Sequence, residues 1–130
     1  MRHHDKNKKF GRERNQRKAL MRSLAVSLIQ KGKMRTTEAK AKAIRPFVEK
    51  LVSNGRVGGV AAQRLVAERL GSVTAARRMV HTIAPQYKSR TGGYTRIIKL
   101  PRRIGDGSPM ALIEFVGETK ESKPEKAKKK

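Results

Sequence analysis

The chain has no cysteine and no tryptophan, and among its 130 residues only ten are acidic and five aromatic. Without cysteine there can be no disulfide, no Cys-ligated zinc and no thiol nucleophile, a composition that fits a reducing compartment. With so few acids, a general acid–base pair or a carboxylate cluster for Mg²⁺ is hard to assemble. Histidines offer no metal set either: His3 and His4 are neighbours, and His81 stands alone on an expected helix. Glu38, Glu49, Glu68 and Glu114 have simpler uses, in helix-dipole or ion-pair support. No enzyme, metal, cofactor or small-molecule substrate is therefore expected. Nor does any apolar run approach the ~20 residues of a membrane span. The start, Met1-Arg-His-His-Asp-Lys6, has no apolar stretch behind it, so no secretory signal is expected and the location is expected to be cytoplasmic.

What the chain has is basic charge. Lysine and arginine make up 33 residues, for a net charge of +23. A compact body carrying that surplus repels itself, so its working form is expected against a dense polyanion. Nucleic acid, an anionic membrane surface or an acidic protein would each serve. An architectural DNA-binding protein and a membrane-active cationic protein remain alternatives to an RNA binder at this point. The apolar fraction, 36% before glycine is counted, allows one small domain, with a core expected to be Leu, Ile, Val, Ala and Met.

The order along the chain is α+β. Residues 1–16 read as a mobile basic arm, because they hold too little apolar surface to offset their ordering entropy. From Arg17, Leu20, Leu24 and Leu28 with Met21, Ala25 and Ile29 give a wide helical face that Gly32 should stop. Lys33–Thr36 is an extended link, and Thr36 or Thr37 offers a hydroxyl cap to a second helix with Glu38 in its first turn. Ile44, Phe47, Val48, Leu51 and Val52 continue that helix to an expected end at Asn54-Gly55, with Pro46 predicting a kink or a delayed start. A third helix is expected over Val60–Leu70 (Ala62, Leu65, Val66 and Leu70 inward). A fourth, capped by Ser72, turns Val73, Ala76, Val80 and Ile83 inward and ends at Ala84-Pro85. The period then shifts to two: Tyr94–Leu100 and Met110–Val116 read as an antiparallel hairpin with a long basic loop. Residues 17–116 thus form the expected globular domain, and 117–130 an expected disordered Lys-rich tail. There is no internal repeat.

Three segments look fit for polyanion contact. The arm, with Arg2, Lys9, Arg12, Arg14 and Arg17, can follow a phosphate path and order as counterions leave, with Phe10 as a stacking or wedging candidate; otherwise it is a solvated tail. In Lys88-Ser-Arg-Thr-Gly-Gly-Tyr-Thr-Arg96, two glycines let backbone N–H groups approach an anion, while Arg90, Arg96, Thr91 and the Tyr94 ring add charge, hydroxyl and a flat face. The plainer reading is a glycine turn with Tyr94 packed on the sheet. Arg102-Arg103 in the hairpin loop read as a phosphate contact or as a solvated turn. Lys40 and Lys42, two apart on a helix, cannot share one face.

These pieces together resemble a known family. Met1-Arg-His3, the Leu-rich first helix ending at Ser27-Leu28, Thr36-Thr-Glu-Ala-Lys-Ala-Lys42, Ala84-Pro-Gln-Tyr87, Gly92-Gly-Tyr-Thr-Arg-Ile-Ile-Lys-Leu100, Arg103-Ile-Gly-Asp-Gly-Ser-Pro-Met110 and Ala111-Leu-Ile-Glu114 are similar, in order and spacing, to the bacterial large-ribosomal-subunit protein number seventeen family. The resemblance runs over roughly residues 1–116. It implies about four helices packed on a small mixed three-stranded sheet, with the Lys33–Thr36 link as the third strand. It also implies binding to large-subunit ribosomal RNA near the exit of the nascent-peptide tunnel, beside neighbouring large-subunit proteins. Carried over by position, the RNA-facing residues would be Arg2, His3, Arg12, Arg17, Arg22, Thr36, Thr37, Lys40, Arg90, Gly92, Gly93, Tyr94, Arg96, Lys99 and Arg103. Lys9, Arg14, Arg35, Thr91 and Arg102 join them as basic or hydroxyl neighbours. One departure is Asn15-Gln16, which stands where the family usually has a Ser-His pair.

Overall fold

A computed structural model describes residues 8–117. The expectations placed on Arg2, His3 and the tail beyond 117 lie outside the described residues. The element order is α1 (Arg14–Lys31), β1 (Lys33–Thr37), α2 (Glu38–Arg56), α3 (Gly59–Leu70), α4 (Val73–Arg78), β2 (Thr95–Leu100) and β3 (Met110–Phe115). The α+β class expected from the sequence is what the chain forms.

The sheet differs in one respect from the expectation. Its strand order is β1-β3-β2 and both pairings are antiparallel, so it is not mixed. The hairpin puts β3 beside β2, and β1 adds to the free edge of β3 with Lys33 opposite Glu114 and Thr37 opposite Met110. Side chains alternate across the sheet. Met34, Thr36, Ala111, Ile113, Phe115, Thr95 and Ile97 turn toward the helices, among which α2 packs on all three strands and α1 on β1. The opposite face carries three rows read across the strands: Lys33–Glu114–Arg96, Arg35–Leu112–Ile98 and Thr37–Met110–Leu100.

Under the sheet, Leu28 and Ile29 of α1 meet Ile44, Val48, Leu51 and Val52 of α2, Val66 and Leu70 of α3, and Met79 and Ile83 after α4. Each such aliphatic side chain stabilises the fold by roughly 1.5–3 kcal/mol on burial. The core is not purely aliphatic, however. Tyr94 is the largest of its fully buried side chains, and Tyr87 and Phe115 are buried beside it. Two tyrosine rings thus supply bulk that Val and Ala cannot.

The boundaries carry physical lessons. Helix α1 begins at Arg14, three residues before the periodic face, and stops at Gly32 as expected. Helix α2 begins at Glu38 and runs through Pro46 to Arg56, so the proline delays nothing. Its N-terminus is not capped by a threonine hydroxyl; the Glu38 amide donates to the Pro109 carbonyl of the hairpin at 3.0 Å. Helix α2 ends at Arg56, one residue past the expected Asn54-Gly55, and Gly55 has a further use. A Cβ there would stand 3.1 Å from the Ala84 Cβ, so this glycine permits close approach of the helix to the segment after α4. Expected inward positions Leu65 and Val73 are exposed instead. The fourth helix does not end at Ala84-Pro85: α4, capped by the Ser72 hydroxyl, widens to a π turn over Met79–Ile83 and tightens to a 3₁₀ turn over Ala84–Tyr87.

Candidate nucleic-acid interface

The sheet face turned away from the helices gathers part of the expected basic set. Arg35, Thr37 and Arg96 stand on it, and Arg102 leaves its edge in the hairpin loop. Between the cations lie Ile98, Leu100 and Leu112, half-buried or exposed, so the face has an apolar centre with a basic rim. Lys33 belongs to the same surface. Arg96 donates to Glu114, whose carboxylate is thereby occupied. Beyond Arg96 the surface continues into a groove of about 520 Å³ lined by Lys31, Lys33 and Arg78 together with Gln30 and Gln86. None of Lys31, Lys33 or Arg78 stood out in the sequence. They come from three separate elements, and only the fold assembles them.

The glycine loop stands at the start of β2 and the hairpin loop at its end, roughly 17 Å apart along the strand. In the first, Arg90, Thr91, Gly92 and Gly93 are exposed, and Gly93 adopts φ +65°, which a side chain would strain. No atom lies within 4 Å of where a Cβ on Gly92 or Gly93 would be, so their backbone is open to an anion. Arg56, unmarked in the sequence, holds this loop to the core. Its guanidinium donates to the Tyr94 hydroxyl at 2.7 Å and to the Lys88 carbonyl at 2.9 Å, and lies 5.9 Å from the Tyr94 ring centre. The Tyr94 hydroxyl in turn donates to the Arg90 carbonyl at 3.3 Å.

Two expected contacts are corrected. Tyr94 is 1% exposed, its ring set edge-on to Tyr87 at 5.3 Å, so it offers no flat face to a base. Thr36 is 9% exposed on the helix side of the sheet and cannot reach a surface ligand. Thr36 is buried by the alternation of β1, whereas Tyr94, one residue before β2, is buried against Tyr87 and Arg56, as the plainer reading of a packed ring has it. Lys99 projects on the same side as Thr36, 3.8 Å from Glu38, whose carboxyl is held below its usual range chiefly by the hydrogen bond from Lys42.

Two other candidates, Arg22 and Arg103, are engaged within the fold. Arg22 donates to the carbonyls of Glu68 and Arg69 at 2.9 and 3.0 Å, satisfying the end of α3. Arg103 is bracketed by Asp106, whose carboxyl is held far below the ordinary range by the Arg103 and Ser108 hydrogen bonds. Lys40 is half-buried in the first turns of α2. Lys9, Arg12 and Arg14 are exposed and Arg17 half-buried around the start of α1, where Arg12 donates to the Phe10 carbonyl at 3.0 Å and Phe10 is half-buried at φ +54°. Among the described residues no group of three or more histidines or acids stands where it could hold a metal, and no helix is long and apolar enough to cross a membrane.

Comparison with known proteins supplies the family. The family described as Ribosomal protein L17 matches residues 20–116. The protein named large ribosomal subunit protein bL17 of a Sulfurihydrogenibium species is 54% identical over 117 residues, which are 89% of this chain and 97% of that one. The proteins of the same name from Persephonella marina and Gemmatimonas aurantiaca are 54% and 47% identical, each over 89% of this chain and over 95% and 98% of their own. The continuous match across helices, glycine loop and hairpin places this chain in the ribosomal protein L17 family.

Proposed function

We propose that the chain is a structural, non-catalytic constituent of the cytoplasmic large ribosomal subunit. It binds large-subunit ribosomal RNA near the nascent-peptide tunnel exit, beside neighbouring large-subunit proteins, and supports subunit assembly. The location near the tunnel exit comes from the family resemblance. The observation that carries the RNA contact is the helix-free sheet face: Lys33, Arg35 and Arg96 rim it, Arg90 and Arg102 stand at the two ends of β2, and Glu114 is already paired. Recognition is of RNA shape and phosphate spacing, since the only fully buried aromatic of the loop, Tyr94, is withheld from bases.

Binding to in vitro-transcribed large-subunit ribosomal RNA is expected to weaken steeply with salt. With about six phosphate contacts the log–log slope is about −4 to −5, a loss of about 10³-fold between 50 and 200 mM. Arg90→Ala and Arg96→Ala should each reduce the slope by about 0.7–0.9. Both side chains are exposed, and the surface pair Arg96–Glu114 is worth about 0–1 kcal/mol at most, so melting should hardly move. A slope near zero, or a large stability loss in these variants, contradicts the assignment. Duplex DNA competing as well as the RNA would favour an architectural DNA binder.

A further inference from the structure

The hairpin loop carries more than charge. We propose that the notch between β1 and this loop, walled by Leu100, Pro101 and Ile104 and flanked by Arg35 and Arg102, holds one unpaired nucleotide of the RNA. Its base lies against the apolar wall and its phosphates against the two guanidinium groups; the assignment rests on the RNA-binding function proposed above. The notch has a volume of about 530 Å³ and opens on the helix-free face of the sheet.

Three observations carry this. Ile104 is 101% exposed, a large aliphatic side chain held entirely in solvent at the tip of a basic loop. Single exposed apolar residues are ordinary, but this one sits on a loop built to hold it still. Arg103 Nε donates to Asp106 Oδ1 at 2.9 Å and its Nη2 to Asp106 Oδ2. Ser108 adds a backbone bond to Oδ1 at 3.2 Å and a hydroxyl bond to Oδ2 at 2.7 Å. Backbone bonds from Gly107 to Arg103 and from Arg103 to Ser108, at 2.9 and 3.0 Å, close the same ring.

The charge around the notch then selects the occupant. Asp106 is the one acid between Thr95 and Ile113, and Arg103 occupies it. Arg35 and Arg102 stand outside every ion pair among the described residues. Two unpaired guanidinium groups beside an aliphatic wall match the two halves of a nucleotide. Only an unpaired base can present its face there, because a base in an A-form helix is stacked on both sides. Arg103, by contrast with its neighbour, is a positioning residue.

The test uses the full chain and in vitro-transcribed large-subunit ribosomal RNA at several salt concentrations. Ile104→Ala should bind about 5- to 10-fold more weakly at every salt concentration with the slope unchanged, because an apolar contact releases no counterions. Asp106→Asn is the sharper probe. It removes a negative charge, so a loop acting by charge alone would bind RNA more tightly; loss of the bracket predicts binding at least about 3-fold weaker. Both side chains lie on the exposed loop, and unchanged thermal melting confirms that the domain is intact. Wild-type affinity in Ile104→Ala, or tighter binding in Asp106→Asn, overturns the notch while a steep wild-type slope leaves RNA binding standing. A flat wild-type slope removes both. In assembled subunits, Ile104→p-benzoylphenylalanine should photo-crosslink to RNA; a crosslink to protein alone overturns the proposal and assigns the notch to a protein neighbour.

Discussion

Tyr94→Ala is expected to lower the unfolding free energy by about 3–5 kcal/mol, the range for emptying a large aromatic site in a core. The ring is the largest fully buried side chain in the fold and packs on Tyr87. A domain of this size has a stability of about 5–15 kcal/mol, so the variant should sit near the threshold of folding. Tyr94→Phe separates ring from hydroxyl. It removes the bond accepted from Arg56 and the one donated to Arg90, and should cost about 1–2 kcal/mol. Urea unfolding of the two variants checks both values. If Tyr94→Ala unfolds like the parent but loses RNA affinity, the ring faces RNA in solution and its burial here is wrong.

Arg56→Ala has the next largest expected effect, about 2–3 kcal/mol, because two bonds from a charged, half-buried donor are lost together. Its consequence for function is indirect. With the Lys88 carbonyl released, the segment carrying Arg90, Gly92 and Gly93 loses its tether, so RNA affinity should fall although Arg56 itself is turned inward. Arg56→Lys should recover only part of the loss, since an ammonium cannot span both acceptors as the planar fork does. Limited proteolysis reads the tether directly: cleavage within residues 88–93 should accelerate in Arg56→Ala and less so in Arg56→Lys. Equal cleavage in all three proteins would mean that Arg56 does not hold the loop.

How legible all this was in the sequence depends on the range of the interaction. Features set within one or two helical turns were readable: the apolar face of α1, the stop at Gly32, the Ser72 cap, the shift to period two at the hairpin. Features set by a distant partner were not. Gly55 has the look of a helix end, and only the approach of Ala84, far along the chain, shows why a glycine stands there. Thr37 sits where a cap belongs, yet the carbonyl serving the Glu38 amide comes from Pro109. Arg56 is one arginine among many until its partners at Lys88 and Tyr94 are seen.

The candidate interface divides along the same line. Basic residues were easy to find and hard to sort, because their number hides which are free. The fold commits Arg22 to the end of α3 and Arg103 to Asp106, and it turns Thr36 and Lys99 to the helix side of the sheet. Among the sequence candidates on the sheet, strand register separates Arg35 and Arg96, on the helix-free face, from Thr36 and Lys99. Lys31, Lys33 and Arg78 needed the whole tertiary arrangement to be recognised. The one difference in the sheet, all antiparallel instead of mixed, has a similar origin, since the direction of β1 against β3 is not written in either strand alone.

Sedimentation of cell lysate on a sucrose gradient measures most directly whether so large a cationic surplus is neutralised by ribosomal RNA. The protein should travel with the large subunit at low salt and shift to the top of the gradient once ribonuclease has degraded the RNA. A free monomer at the top of the gradient before any nuclease is added would contradict the account.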